Sequence, residues 1–280
     1  MIHPEDKDNW IAKTLQLTAP EDLFYGGFCS QCQCFHKIDS KIAYPYALDL
    51  RQRLLDEENL DFNFTLEEER SDFNTSLLFV DYGKMFGVLV CEDSYGNEVV
   101  LKGFSYNYSE HWTLKGWVPP LFDPIEYEKI SQKGNERIYP LTDLIKDLPL
   151  NTFKRNALVK KRREVSQEIM QDYFDLYRVT TPQGDVKNLR DVFYLKKQIP
   201  MGTGDCCAPK LLAEAYRQKL KPISIAEFYL GNPGKDGKRQ SGQFYSSCEG
   251  KCHPILGALT CGLKNAENLN SNEVSNYYSE

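Results

Sequence analysis

Three cysteines stand where the sequence pattern puts helix starts. Cys206 precedes the apolar run Leu211, Leu212, Ala215, Tyr216 and Leu220, while Cys248 and Cys252 frame the turn Cys248-Glu249-Gly250-Lys251-Cys252 ahead of a second short helix. The helix and strand between them would return both turns to one sheet edge. Helix N-termini stabilise thiolates, and three sulfur donors with a fourth position left to water form a set that zinc accepts. Three buried thiols, or one nucleophilic cysteine, fit the same spacing, and it leaves these alternatives open. A hydrolytic centre also needs a carboxylate within reach of its water. Asp205 and Glu227 are the candidates in this stretch.

A second cluster, Cys29, Cys32, Cys34 and His36, has the form Cys-x-x-Cys-x-Cys-x-His. No second cysteine pair follows at zinc-finger spacing, and four ligands within eight residues are cramped for one tetrahedral ion. Structural zinc, a redox-sensitive segment and no special role all remain open. Cys207 and Lys210 could pair as nucleophile and partner, with His253 as a base. Lys210 otherwise reads as a solvated lysine or a phosphate contact. The dense positive patch is Lys154, Arg155, Lys160, Lys161, Arg162 and Arg163. Of these, Lys160, Lys161, Arg162 and Arg163 are the candidate RNA-binding residues, the alternative being a solvated helix face.

The elements that would hold these residues can be read from periodicity. Residues 1–74 are polar and irregular, with a short helix expected over Leu48–Glu58 and the acidic run Glu67-Glu68-Glu69 on a solvated face. Met85–Cys91 reads as a buried-strand run and Val99–Phe104 as its partner, a hairpin around Asp93–Asn97, and more sheet is expected from His111-Trp112 to Trp117-Val118. A polar connector over 124–153 leads into a helix over Phe153–Tyr177, on the spacing of Leu158, Val165, Ile169, Tyr173 and Leu176. Asp191–Lys196 reads as strand. Asp205 is the expected N-cap of the Cys206 helix, Pro222 its stop, and Ile223–Leu230 a buried strand. A polar loop over Gly231–Gly242 follows, and the second cysteine helix runs to Leu263. The Asn/Ser-rich tail after it is expected to be disordered.

The chain has 280 residues, 41% of them hydrophobic and 26% charged, with a net charge of -6. That is enough for one or two domains, and it lacks a global basic field for nucleic acid, so RNA must be met by a local patch. DNA is not inferred. No stretch approaches the roughly 18 apolar residues of a membrane span, and Met1-Ile2-His3-Pro4-Glu5-Asp6 does not resemble a signal peptide. A soluble, cytoplasmic protein with no membrane partner is expected. Nine cysteines then suit thiols or metal ligands better than disulfides.

Two blocks carry a family resemblance. One is Gly83-Lys84-Met85-Phe86-Gly87-Val88-Leu89-Val90, continuing to Gly116-Trp117-Val118-Pro119-Pro120-Leu121-Phe122-Asp123. The other is Gly202-Thr203-Gly204-Asp205-Cys206-Cys207-Ala208-Pro209-Lys210-Leu211-Leu212, continuing through Lys221-Pro222-Ile223 and Ala226-Glu227-Phe228 to Phe244–Gly257. Both resemble the N-terminal region of long RluA-type RNA pseudouridine synthases. The resemblance implies a setting in RNA modification, with RNA or an RNA-modifying enzyme as partner. The His-Arg-Leu-Asp motif of that family's catalytic domain has only Arg53-Leu54-Leu55-Asp56 as an approach, so uridine isomerisation by this chain is not expected.

The order hairpin, Cys206 helix, strand, Cys248/Cys252 helix is also similar to zinc-dependent nucleobase deaminases. Those place a glutamate two residues after the first ligand. Ala208 stands there, and the cysteine pair is separated by three residues rather than two. The expected fold is α/β (α+β), a mixed sheet with flanking helices in a deaminase-like arrangement. Its domain would span 75–263 with a helical insertion at about 124–180, between an N-terminal segment 1–74 and a disordered tail 264–280.

Overall fold

A computed structural model describes residues 18–62, 72–80, 82–195, 198–234, 237–263 and 267–269. It has the α/β character expected, with helices around three small antiparallel sheets. The central one is built from β3 (Lys84–Glu92), β4 (Glu98–Phe104) and β7 (Lys221–Leu230), in the order β4-β3-β7.

Strand periodicity explains how this sheet is covered on both faces. Met85, Leu89 and Cys91 of β3 join Ile225 and Tyr229 of β7 in a core beneath α5 (Cys207–Arg217). Phe86, Val88 and Val90 join Ala226, Phe228 and Leu230 in a second core under α1 (Ala43–Asp56). With both faces buried, β3 reads as a continuous apolar run, as expected. Leu211 and Leu212 of α5 are fully buried, each contributing about 1.5–3 kcal/mol.

The same alternation places Glu227 on the α5 face, between Ile225 and Tyr229. Register aligns it in one row with Gly87 and Gly103. A Cβ at Gly87 would lie 2.9 Å from Cys207 Cβ and 3.1 Å from Glu227 Cγ. The row is therefore bare so that the start of α5 can settle onto it.

The described part of the N-terminal segment is not irregular. It forms the hairpin β1 (Phe24–Cys29) and β2 (Cys34–Asp39), then α1, which starts five residues before the helix expected there. Tyr25 is fully buried; its hydroxyl accepts from Glu227 N–H at 2.6 Å and donates to Tyr245 O at 2.8 Å, tying β1 to β7. Gly26 and Gly27 obscured this strand in the sequence, but they serve packing. A Cβ on Gly27 would lie 1.9 Å from His253 O, where α6 (His253–Thr260) crosses β1.

The expected connector over 124–153 is mostly the helix α2 (Pro124–Lys146). Asp123 caps it, accepting from Ile125 N–H, and Pro124 occupies its first turn. It runs antiparallel to α3 (Phe153–Leu176), the helix expected there, with Gly134 facing Ile169 and Tyr127 facing Tyr173. Sheet is not formed over 111–118, where Tyr108 and His111 make a single bridge. The described residues 191–195 are not strand either: Leu189–Val192 is the short helix α4, opened by an Asn188 capping box, after the two-stranded ladder of β5 (Arg178–Thr180) and β6 (Val186–Asn188). Pro222 does not stop α5, which ends at Arg217; it lies within β7. Of the tail, Glu267–Leu269 forms β8 and pairs with β2. The rest of the tail and the Glu67-Glu68-Glu69 run lie outside the described residues. No helix among those described is long and apolar enough to cross a membrane.

Candidate metal centres

Cys206, Cys248 and Cys252 come together as their spacing implies. Cys206 is the N-cap residue of α5, and Cys252 that of α6. Their sulfurs all lie within 4.8 Å of one another, and those of Cys248 and Cys252 are 3.5 Å apart. A tetrahedral ion with metal–sulfur bonds of about 2.3 Å has S–S edges of roughly 3.8 Å, so this donor set fits such an ion. The Cys248–Cys252 turn is closed by Cys252 and His253 N–H groups donating to Cys248 O, both at 3.1 Å. Hydrogen bonding with the Cys206 and Cys252 thiols, with donation from the Cys252 and Lys251 amides, holds the Cys248 thiol well below its ordinary value, against the effect of burial.

Glu227, a candidate acid from the sequence, lies near enough to this set to interact electrostatically with Cys206 and Cys248. Its side chain is buried, and Oε1 accepts from Ala208 N–H at 2.5 Å. That bond caps the first turn of α5, a task assigned in the sequence to Asp205. The expectation for Asp205 is overturned: Cys206 is the N-cap, without side-chain capping, and Asp205 Oδ1 accepts from Tyr177 Oη at 2.6 Å. Burial pushes Glu227 up to about 8, opposed by the Ala208 hydrogen bond.

The Cys207 and Lys210 pair does not form a nucleophilic site. Cys207 is buried with its thiol donating to Met85 O at 3.3 Å, and burial drives its pKa far upward. Lys210 is not a solvated lysine. Its side chain is 1% exposed, and Nζ sits 5.0 Å from the Phe104 ring centre without a hydrogen-bond acceptor among the described residues. Burial lowers its pKa, opposed by Cys207 and Asp205; burial also lowers that of Lys84 to about 8, helped by repulsion from Lys210. His253 is packed between Phe24 and Phe35, with burial lowering its pKa.

A second set joins Cys29, Cys32 and His36 with Cys261, all donor atoms within 4.8 Å. Cys34 is not part of it; its thiol donates to Cys32 O. Cys261 escaped the sequence reading because it lies 229 positions from Cys32. Its one local signal was a lone cysteine at the expected end of a helix. Lys160, Lys161 and Arg163 are exposed on α3 and Arg162 is half-buried, so the patch remains available to solvent, remote in sequence from both thiol sets. Arg53, Leu54, Leu55 and Asp56 are ordinary parts of α1, Leu54 buried in its core and Asp56 accepting from Gln52.

Comparison with protein-family models, curated proteins and solved structures gives no match for this chain.

Proposed function

We propose that this chain is a zinc-binding module of RNA modification whose Cys206/Cys248/Cys252 centre is a deaminase-like hydrolase site acting on a nucleobase. The observation that carries the proposal is Glu227. A buried carboxylic acid reaches the first turn of the ligand-bearing helix from the neighbouring strand and interacts electrostatically with Cys206 and Cys248, in a set that offers three donors among the described residues. Its carboxylate meets the backbone of Ala208, the position from which the resemblance led one to expect the acid. The same chemistry would then be delivered from the sheet rather than from the helix.

Bound with its fourth position open, zinc supplies Lewis-acid activation of water. The protein's own part is positional. Cys248 offers a stabilised thiolate, and the bare Gly87–Gly103 row sets the depth of α5. Glu227, with Oε1 fixed by Ala208, holds a proton to exchange at its other oxygen. The exposed Lys160, Lys161 and Arg163 would give an acidic chain a local phosphate-binding surface.

The second reading is an accessory module with a purely structural zinc, favoured by Glu227 acting as a helix cap. The two separate in one experiment. The full chain is assayed for zinc and for ammonia release from cytidine- and adenosine-containing RNA oligonucleotides, beside Cys206→Ser and Glu227→Gln. Zinc that is lost in Cys206→Ser, with ammonia release lost in Glu227→Gln, supports the hydrolase. Zinc without ammonia release leaves the accessory module. Zinc content unchanged in Cys206→Ser removes both. Uridine isomerisation forms no part of the proposal, and tritium release from uridine C5 by this chain would overturn it.

A further inference from the structure

We propose that Cys29, Cys32, His36 and Cys261 form a second, closed zinc site that clamps the C-terminal end of α6 to the β1–β2 hairpin. The argument starts at the hairpin tip. Cys29 and Cys34 are paired across it, and Gln33 between them adopts a left-handed conformation (φ 59), which a residue with a side chain takes only when its surroundings demand it. Gln33 N–H donates to Cys29 O at 2.9 Å. This curl carries Cys32 back so that its sulfur lies 2.8 Å from His36 Nε2.

Cys261, the residue that caps α6 at its C-terminal end, then brings its sulfur to 3.9 Å from that of Cys32. That separation is far beyond the roughly 2.05 Å of a disulfide and close to the roughly 3.8 Å edge of a tetrahedral Zn–S site. Three sulfurs and one imidazole complete four-coordination, which is the arrangement of structural zinc rather than of catalytic zinc. The set contains no carboxylate.

The surroundings are built for a fixed junction. A Cβ on Gly257 of α6 would lie 2.1 Å from Phe28 O, so the helix rests directly on the backbone of β1. Beyond Cys261 the chain returns as β8, whose Asn268 pairs with His36 itself. The helix α6 has eight residues, about 12 Å at 1.5 Å per residue. It therefore carries Cys252 at one end and Cys261 at the other. Fixing its far end sets the position of the cysteine pair at its near end. This inference concerns different ligands from the proposed hydrolase centre and does not depend on that centre being active.

The test uses the full chain. Wild type should carry about two zinc ions, and Cys32→Ser or Cys261→Ser about one, while Cys34→Ser keeps both. His36→Cys, which retains four donors, should keep the metal that His36→Ala loses. If the serine variants fail to fold, X-ray absorption at the zinc edge of wild type still decides. The Cys206/Cys248/Cys252 set has no histidine, so imidazole scattering reports His36. Zinc-loaded wild type without imidazole scattering, equal losses in Cys34→Ser and Cys32→Ser, or a Cys32–Cys261 disulfide in reduced preparations would each overturn the proposal. Loss of zinc in Cys248→Ser with full retention in Cys32→Ser and Cys261→Ser would overturn the clamp as well.

Discussion

The two thiol clusters sit at opposite ends of one helix and differ in what completes them. At the Cys261 end the hairpin supplies three donors, an imidazole among them, and no carboxylate belongs to the set. At the Cys252 end two helix starts supply three thiols, and a buried glutamate stands beside them from the sheet. Among the described residues the first set offers four donor atoms, whereas the second offers three and has Glu227 near enough to interact with two of them. A metal site's role can thus be read from what the protein withholds as much as from what it supplies.

The sharpest way to break this comparison is to alter the acid and leave the thiols intact. Glu227→Gln keeps the shape and can still accept from Ala208 N–H, so folding and zinc content should hold. Loss of proton transfer should lower ammonia release by about 10²–10⁴-fold. Full activity in Glu227→Gln would make the two clusters alike in kind.

Next in size is the contrast in stability. Removing a ligand from a closed site forfeits binding energy that belongs to folding, so Cys32→Ser should lower the melting temperature by at least about 5 °C. Cys206→Ser should lower it less, because α5 remains held by its apolar face and by the Glu227 cap. Melting curves with and without a chelator check the order. Equal decreases that disappear when the chelator is present would reduce the distinction to metal affinity alone.

These contrasts also mark how far the sequence could be read. Cys206, Cys248 and Cys252 were legible because each precedes an amphipathic or apolar helical run, and the β3–β4 hairpin because two apolar runs flank a clear turn at Asp93–Asn97. Glu227 was legible as a charge inside an apolar strand. The hairpin at Phe24–Asp39 was not, since Gly26-Gly27 and four close cysteine or histidine residues look like loop chemistry until α6 is laid across them. Cys261 depends on that same long-range packing. Helix α2 was hidden by its composition: Gly134 and Pro140 interrupt it, and few of its residues are buried. Asp205 had the right residue type for a cap, but Tyr177 claims its carboxylate.

The basic patch sharpens the comparison from outside both clusters. If the open centre serves RNA, changing Lys160, Lys161, Arg162 and Arg163 together to Ser should weaken RNA binding. The slope of log affinity against log salt should also flatten by about 0.7 for each phosphate that is no longer neutralised. Zinc content should not move, since none of these residues belongs to either thiol set. Binding titrations with single-stranded RNA at several salt concentrations measure both effects. Unchanged affinity would return α3 to a solvated helix face and remove the RNA surface from the proposal.

The smallest effect is expected at Cys91, a thiol that belongs to neither cluster. It lies in β3 facing α5, fully buried, and burial pushes it from 9.0 up to about 12. Tyr216 is the titratable neighbour on α5, itself raised by burial, with its hydroxyl donating to Leu259 O. Because the folded state binds the Cys91 proton more tightly than the unfolded chain, its contribution is complete below about pH 9. It is lost as pH rises towards 12. Cys91→Val preserves volume and apolarity, so stability at neutral pH should change by less than about 1.5 kcal/mol, and both zinc ions should stay. The alkaline decline in melting temperature should be shallower than in wild type, because the Cys91 thiol is gone and Tyr216 is relieved of its repulsion. Zinc loss in Cys91→Val would mean that any thiol of this core sustains the metal content, and the two clusters would lose their claim to be sites.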